Sequence, residues 1–334
     1  MSYLQKSVVF TGIRKVETLT ENVDLTPPPT GLLFQTRYSC ISAGTELAKL
    51  TGRQVVTFPL CLGNRAVGRV VDPGAHSGIK AGSLIFAHAA HSSIQPYSGF
   101  WAALPEEADC PEAALLGMAM VSLVGVQQVP AQLGDFAVVT GAGLVGNLAA
   151  QLLELSGVRA ILVDREPGRL AVAKACGITH AIAGTPEEIG KQIAAITRGR
   201  GAEFGLECTG NPEVVGQLPA WVAQQGRVVL VGSPRGEGGD LTAFANHFHL
   251  WREHGDLTLV GAHEWKIPAQ ATPFLKHSMT RNAQILCDLW LGGRLKLKPL
   301  LSRVFRPTEA AEAYRLLEAE SASVLGAVFD WSEA

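Results

Sequence analysis

The stretch Phe136-Ala-Val-Val-Thr-Gly141-Ala-Gly143-Leu-Val-Gly146-Asn-Leu-Ala-Ala150 decides the fold of this chain. An apolar segment predicts a strand, a Gly-x-Gly-x-x-Gly turn follows at once, and a helix opens from Leu144. Gly141 allows the tight turn, Gly143 lets the backbone approach a pyrophosphate, and Gly146 permits close packing of helix and strand. The helix N-terminus presents N–H groups and its positive dipole end to phosphates. We therefore expect a dinucleotide site, and not a turn with incidental glycines.

An acidic residue follows the turn at the expected distance. Asp164 ends the next apolar strand, 21 residues beyond Gly143. A carboxylate there can accept hydrogen bonds from the adenosine ribose diol and would repel a 2′-phosphate. Arg165 weakens this preference, because an arginine can face a 2′-phosphate. We expect NAD as the cofactor, with NADP less favoured.

The pattern on either side of this turn predicts an α/β protein. From about Pro111 to Val260, apolar strands alternate with helical segments, which indicates a doubly wound parallel sheet of the Rossmann type. Before Pro111, short strands are separated by Gly/Pro-rich segments, which is typical of a small barrel or sandwich. After Gly261 we expect a long helix over residues 271–291, then two short β segments with a helix between them.

Composition excludes several classes of function. The 334 residues suggest about two domains. The 28 Lys+Arg and 30 Asp+Glu residues give a net charge of −2, which argues against an electrostatic nucleic-acid binder. The longest uncharged apolar stretch, Ala113–Val126, is shorter than the roughly 18–20 residues of a membrane span, and no Lys/Arg-led apolar leader is visible. We expect a cytoplasmic protein with no membrane or nucleic-acid partner.

Several motifs together resemble the medium-chain dehydrogenase/reductase superfamily over essentially the full chain. The Ser-Ala-Gly-Thr-Glu stretch looks most like the branch that contains bacteriochlorophyllide dehydrogenase and sugar or polyol dehydrogenases. The resemblance implies a GroES-like β-barrel catalytic domain (1–118 and 264–334) and a Rossmann dinucleotide-binding domain (119–263). It also implies a homodimer or larger homo-oligomer, through the strand at Leu257–Val260. The motifs are Ile41–Glu46, Leu62–Val70, the glycine-rich turn, Lys174–Ala181, Glu207–Pro212, Gly226–Arg235 and Leu259–His263.

The same resemblance implies the cofactor contacts. Asp164 would hold the adenosine ribose, Arg169 would lie near the adenine, and segments after the later strands would line the nicotinamide. The expected cofactor-binding residues are Gly141, Gly143, Leu144, Val145, Gly146, Asp164, Arg165, Arg169, Cys208, Thr209, Gly210, Val231, Gly232, Ser233 and Ala262.

The zinc ligands of the superfamily are replaced in this chain. Zinc members have Cys-Gly-Thr-Asp and Gly-His-Glu where this sequence has Ala43–Glu46 and Gly63–Arg65. A zinc site needs thiolate, imidazole or carboxylate ligands, which alanine and asparagine cannot supply. Of the four closely spaced cysteines of the structural zinc lobe, only Cys110 is present in the corresponding region. We therefore expect no metal site and no zinc.

Without zinc, a side chain has to exchange the hydroxyl proton of an alcohol substrate. Thr45 matches the hydroxyl relay position of the superfamily, although a turn threonine bound to nearby backbone is as good an interpretation. Glu46 could be a base or a structural partner. Lys49 could stabilise an alkoxide, although a solvated surface lysine is the more ordinary role.

Three further residues are candidates for substrate contacts or catalysis. Asn64 and Arg65 could fill the vacated zinc site and contact a polar or anionic substrate; the alternative is a buried ion pair between Arg65 and Glu46. His263 is the best-placed acid or base, because imidazole exchanges protons near neutral pH. Capping or packing by this histidine is the competing interpretation.

Three functions remain, in order of preference. The first is a zinc-independent, NAD(H)-linked oxidoreductase that transfers a hydride between nicotinamide and a secondary alcohol or ketone, polyhydroxylated or cyclic. The second is an NADPH-dependent enoyl or quinone reductase. The third is a non-catalytic nucleotide-binding protein. This order rests partly on analogy of fold.

Overall fold

The chain forms two compact units. A computed structural model describes residues 1–75, 78–249, 255–320 and 322–333. The first unit comprises Met1–Met118, Pro268–Gly293 and Leu300–Ala334, and the second comprises Ala119–Ile267 and Arg294–Pro299. Among the described residues, every helix is too short or too polar to span a bilayer.

The N-terminal part of the first unit is built mainly from strands. Its elements are β1 (Ser2–Gly12), β2 (Lys15–Asp24), β3 (Leu32–Cys40), α1 (Ala43–Leu50), β4 (Leu60–Cys61), β5 (Ala66–Asp72), β6 (Leu84–Ala87), β7 (Ile94–Tyr97) and β8 (Trp101–Ala103).

In the second unit, strands and helices alternate. The helix α2 (Leu116–Val126) contains the boundary between the units. It is followed by β9 (Phe136–Thr140), α3 (Leu144–Leu155), β10 (Arg159–Val163), α4 (Pro167–Ala175), β11 (His180–Ile182), α5 (Pro186–Ile196), β12 (Ala202–Glu207), α6 (Pro212–Gln217), β13 (Val222–Leu230), α7 (Leu241–Asn246) and β14 (Thr258–Gly261).

The C-terminal part returns to the first unit. Its elements are α8 (Met279–Leu291), β15 (Leu301–Phe305), α9 (Ala310–Ala319) and β16 (Gly326–Asp330).

The sheets of the first unit are mostly antiparallel. Within the described residues, one sheet has the order β15-β16-β3-β5-β6-β8, with β7 beside β3, and another has the order β2-β1-β4. The pair β15–β16 is parallel. Burial of large apolar side chains stabilises this unit. Phe10 and Tyr314 are each 1% exposed and meet edge to face with ring centroids 4.9 Å apart.

The second unit has one parallel sheet of six strands in the described part of the chain. Its order is β11-β10-β9-β12-β13-β14. All five residues of β9 are buried, as expected for a central strand covered by helices on both faces. The strand order reverses between β9 and β12, because β10 and β11 follow on one side of β9 while β12, β13 and β14 follow on the other. Doubly wound sheets bind ligands beyond the carboxyl ends of the strands at such a point.

The expected fold class is confirmed: the protein is α/β, with a Rossmann-type parallel sheet and a separate, mostly antiparallel sheet domain. One predicted element is wrong at its start. The helix expected over residues 271–291 begins at Met279. Ser278 ends the preceding irregular segment, because its side chain accepts a hydrogen bond from the Arg281 amide and caps the helix. Pro273 also has no N–H for a helix interior.

Candidate functional site

The glycine-rich turn lies at the carboxyl end of β9. Gly141 follows the strand with φ +91°, a backbone conformation that favours glycine. A Cβ on Gly146 would lie 1.8 Å from the Gly141 carbonyl oxygen, so α3 can approach the turn this closely only with glycine there. Gly143 is the N-cap of α3 and has no side chain that could occupy the amides of the first turn. With Leu144 and Val145 in its first turn, the helix N-terminus has the features of a phosphate site.

Asp164 lies directly after β10 and is joined to the turn. Its Oδ2 accepts a hydrogen bond from the Ala142 amide at 2.6 Å, and its Oδ1 accepts one from the Glu166 amide at 2.9 Å. Arg169 Nη1 lies 3.4 Å from Oδ2. The side chain of Arg165 is instead 90% exposed and pairs with Glu166. The structure thus brings Asp164 and Arg169 together with the turn and leaves Arg165 in solvent.

The loop after β12 carries Cys208, Thr209 and Gly210. It is held by Glu207, the last residue of the strand, which is fully buried. The Glu207 carboxylate accepts hydrogen bonds from the amides of Thr209 at 2.7 Å and Gly210 at 3.0 Å. The sequence did not lead us to expect Glu207 as a site residue, although an acidic residue at the end of an apolar strand indicates a possible functional role.

A cavity of about 500 Å³ lies where β13 and β14 end. His263 is one of the residues that line it. The Nδ1 atom of His263 accepts a hydrogen bond from the Trp265 amide at 3.3 Å. The imidazole also stacks on the Trp265 ring, with centroids 6.0 Å apart. Lys266 was not among the expected residues; its ammonium donates to the Gly261 carbonyl at 3.1 Å. The lining residues are Leu230, Val231, Gly232, Ser233, Pro234, Gly261, Ala262, His263 and Lys266.

In the first unit, Thr45 and Lys49 lie on α1 and are both partly buried. The Thr45 amide donates to the Ser42 carbonyl at 3.0 Å, so the backbone of this threonine is fixed in the first turn of the helix. Lys49 lies in the last turn, where a cation interacts favourably with the helix dipole.

Glu46, next to Thr45, points into the core and is 2% exposed. It accepts hydrogen bonds from the Tyr314 hydroxyl at 2.5 Å and the Ser42 amide at 2.9 Å, and His91 Nε2 lies 3.3 Å away. Burial alone would raise the pKa of Glu46, but the His91 charge and these hydrogen bonds together lower it. The basic side chain seen in contact with this carboxylate is His91.

The polar cluster around Glu46 continues beyond His91. His91 is fully buried, and its Nδ1 lies 2.8 Å from Ser39 Oγ. Trp331 Nε1 donates to the same hydroxyl at 2.8 Å. Since Glu46, His91 and Tyr314 come from distant parts of the chain, the cluster ties α1 to α9 and to the end of β16.

Asn64 and Arg65 lie side by side before β5. Arg65 is 3% exposed, and its Nη1 donates to the Asn64 carbonyl at 2.7 Å. The Asn64 Oδ1 atom is buried and has no hydrogen-bond partner among the described residues. Burial and the Arg65 charge lower the pKa of His88 to about 3, so this imidazole is neutral.

The residues at the positions that the resemblance implies for zinc ligands do not fit zinc. They are Ala43, Asn64 and Arg65, and none of these side chains binds zinc well. Across the part of the chain that the structure describes, no group of three or more His, Cys, Asp or Glu side chains is arranged to hold a metal ion.

Comparison with known proteins agrees with this architecture. Residues 145–252 match the family model described as zinc-binding dehydrogenase. Sorbitol dehydrogenase of Bacillus subtilis (strain 168) is 32% identical over 132 residues, which are 39% of this chain and 37% of that protein. Both matches agree with the resemblance described above, each over less than half of the chain. The sequence match spans well under half of the sorbitol dehydrogenase.

Solved structures resemble the chain over nearly its whole length. A zinc-binding dehydrogenase-type protein of Sinorhizobium meliloti 1021, bound to NADP, has a TM-score of 0.79 at 21% identity, with 98% of this chain and 99% of that one covered. A quinone oxidoreductase of Pseudomonas syringae pv. tomato DC3000 has a TM-score of 0.79 at 20% identity, with coverage of 98% and 100%. At these identities the likeness concerns the fold alone.

Proposed function

We propose that the protein is a zinc-independent, NAD(H)-linked oxidoreductase that acts on a secondary alcohol or its ketone, with a polyhydroxylated or cyclic substrate. The observation that carries this proposal is the Asp164 carboxylate, which is bonded to the glycine-rich turn at the end of β10. The relationship to a sorbitol dehydrogenase supports a polyol as the substrate class.

The proposed cofactor contacts follow the carboxyl ends of the parallel strands. The turn from Gly141 to Gly146 would take the pyrophosphate, while Asp164 and Arg169 would take the adenosine end. The loops Cys208–Gly210 and Val231–Ser233, with Ala262, would hold the nicotinamide end. When bound, the nicotinamide accepts or gives the hydride. NAD is preferred because a 2′-phosphate would meet the negative charge of Asp164.

In the first unit, the proposed substrate contacts are Thr45, Asn64 and Arg65. Asn64 Oδ1, which lacks a partner among the described residues, can accept a hydrogen bond from a hydroxyl group of a polyol. Leaving this buried oxygen unsatisfied would be unfavourable. Arg65 supplies a permanent positive charge beside it. Lys49 stays a candidate for stabilising an alkoxide.

Glu46 has a positioning role in this proposal and is not the base. A base has to reach the proton that it removes, whereas both oxygens of Glu46 are engaged inside the core. Its fixed carboxylate instead holds the first turn of α1, and with it Thr45.

For His263 we propose the role of a hydrogen-bond donor to the substrate oxygen. Because Nδ1 accepts from the Trp265 amide, the neutral ring carries its proton on Nε2. If the proton were on Nδ1, this N–H and the Trp265 N–H would be two donors facing each other. A donor near the substrate oxygen stabilises the charge that develops there during hydride transfer.

The oligomeric state belongs to the same proposal. In the described residues β14 is the edge strand of the parallel sheet, and Leu259 on it is 43% exposed. An exposed edge strand readily pairs with another chain. We expect a homodimer or larger homo-oligomer through this edge.

An activity panel tests the proposed function. Purified protein is assayed with NAD and with NADP against cyclitols, sugars and simple secondary alcohols. We expect NAD-linked oxidation of at least one polyol or cyclic alcohol. Binding of NAD without turnover of any alcohol, ketone, enone or quinone would indicate a non-catalytic nucleotide-binding protein and contradict the proposal.

An enoyl or quinone reductase is the second candidate. The fold is compatible with it, since a quinone oxidoreductase of Pseudomonas syringae and an NADP-bound protein share this architecture. Asp164 counts against it, since such reductases usually use NADPH. Reduction of enones or quinones with NADPH, without NAD-linked oxidation of any alcohol, would replace the first proposal by this one.

A further inference from the structure

Glu207 lies where the loops after β9, β12 and β13 meet in the second unit. It is the last residue of β12, which pairs with β9 on one side and with β13 on the other. It is 0% exposed, and an ionised carboxylate is rarely buried to this extent unless strong hydrogen bonds compensate the loss of water. The contacts of Glu207 show what compensates it.

The carboxylate holds its own loop and reaches the neighbouring strand. Oε1 accepts hydrogen bonds from the Thr209 amide at 2.7 Å and from the Thr209 hydroxyl. Oε2 accepts one from the Gly210 amide at 3.0 Å. The hydroxyl of Thr140, the last residue of β9, lies 3.5 Å from Oε1. Bonds from amides to an ionised acceptor are stronger than those between neutral groups.

The main chain of Glu207 holds the loop after β13. Its carbonyl oxygen accepts hydrogen bonds from the amides of Val231 at 2.9 Å and Gly232 at 2.8 Å. A Cβ on Gly232 would lie 2.7 Å from Glu207 Oε2 and 2.5 Å from the Gly210 nitrogen. The loop that lines the cavity therefore packs directly on the carboxylate and on the loop that it holds.

We infer that Glu207 is a positioning residue for the nicotinamide end of the cofactor. It fixes Thr209 and Gly210 against Val231 and Gly232, and so sets the shape of one wall of the cavity. This inference rests on the proposed function for the identity of the ligand. The parts of NAD that ADP-ribose shares would be held by other residues: the pyrophosphate by the glycine-rich turn, and the adenosine end by Asp164 and Arg169.

The variant Glu207→Gln tests the inference. It keeps the size of the side chain but turns one acceptor into an NH₂ group that faces backbone N–H donors. In the proposed site the nicotinamide of NAD would lie against this wall, whereas ADP-ribose has no nicotinamide. We therefore expect Glu207→Gln to weaken NAD binding about tenfold. Binding of ADP-ribose should change much less. Calorimetric titration of each protein with NAD and with ADP-ribose measures both affinities.

The matched control is Glu203→Gln on the same strand. Glu203 lies at the opposite end of β12, where its Oε2 accepts a hydrogen bond from the Phe136 amide at 2.8 Å. This variant also removes the charge of a carboxylate that accepts a hydrogen bond from a backbone amide of the second unit, but away from the cavity. We expect it to bind NAD and ADP-ribose as the wild type does.

Each other outcome has a definite meaning. Equal loss of NAD and ADP-ribose affinity in Glu207→Gln, or unchanged affinity for both, would overturn the inference and leave the proposed function standing. A wild type that binds neither ligand would overturn both. If Glu207→Gln does not fold, Glu207→Asp, which keeps the charge but shortens its reach, should show the same selective loss of NAD affinity.

Discussion

The Ala142 amide donates a hydrogen bond of 2.6 Å to Asp164 Oδ2, and this bond joins the glycine-rich turn to the end of the next strand. The two parts of the proposed cofactor site are thereby held at a fixed distance. The carboxylate is 5% exposed, and its negative charge is therefore screened little by solvent. In the proposed site, cofactor preference and the geometry of the turn depend on the same residue.

Replacement of Asp164 by asparagine should change cofactor preference. Asp164→Asn keeps the shape and one carbonyl oxygen but removes the charge that opposes a 2′-phosphate. We expect the ratio of kcat/KM for NAD to that for NADP to fall about tenfold or more, which corresponds to about 1.4 kcal/mol. Steady-state rates with both cofactors measure the ratio. Asp135→Asn, in the turn before β9, is the control and should leave the ratio unchanged. An unchanged ratio in Asp164→Asn would show that Asp164 does not set the cofactor preference.

Loss of the Tyr314 hydroxyl should destabilise the fold. Burial and the neighbouring Glu46 carboxylate raise the pKa of Tyr314 well above its usual value, so the hydroxyl stays protonated and donates to Glu46 at 2.5 Å. For Tyr314→Phe we expect a loss of about 1.5–3 kcal/mol in the free energy of unfolding, measured with urea. Tyr3→Phe, at a partly exposed site, should change it by less than about 0.5 kcal/mol. Equal stability of the two variants would show that the bond to Glu46 contributes nothing.

His88 should make stability depend on pH. Its pKa is lowered from 6.5 to about 3 in the folded protein, so between these values the unfolded chain binds the proton more readily. Stability is therefore lost as the pH falls below about 6.5, by about 1.4 kcal/mol for each pH unit in this window. Urea unfolding at pH 6.5 and pH 5 measures the difference, and His88→Gln should lack this component. A parallel loss in both proteins would contradict the assignment of a neutral His88.

Two variants of His263 distinguish a hydrogen-bond donor to the substrate oxygen from a general base. In His263→Gln the glutamine amide would place an N–H donor near the position of Nε2, so we expect this variant to keep most of the wild-type kcat/KM and the shape of its pH profile. His263→Ala should lose about 10²-fold, as expected for removal of one donor to a developing negative charge. If the glutamine variant were as inactive as the alanine variant, the donor role would be contradicted and His263 would be the base.

Local patterns were predictable from the sequence, and distant contacts were not. The turn from Gly141 to Gly146 and the strand that leads to Asp164 depend on neighbouring residues and regular spacing, and both the strand β9 and the start of α3 agree with the pattern. His91 contacts Glu46 across 45 residues and Tyr314 contacts it across 268, and no periodicity reports such pairs.

Two features of the site, the helix α1 and the role of Glu207, could not be predicted from local sequence patterns. The helix α1 carries Thr45 and Glu46, but at eight residues it is too short for a clear helical pattern. The role of Glu207 depends on loops after three different strands, which meet only in the folded sheet. Ser278, by contrast, is a local capping signal that could have placed the start of α8 correctly.

In the proposed function, NAD-linked alcohol oxidation proceeds without zinc. The most direct measurement is the turnover of the best alcohol substrate with NAD before and after exhaustive dialysis against a chelator, with the metal content determined on the same samples. We predict substoichiometric zinc throughout and unchanged kcat and KM after dialysis. Stoichiometric zinc in the active protein, with activity that is lost on dialysis and restored by zinc, would contradict the account.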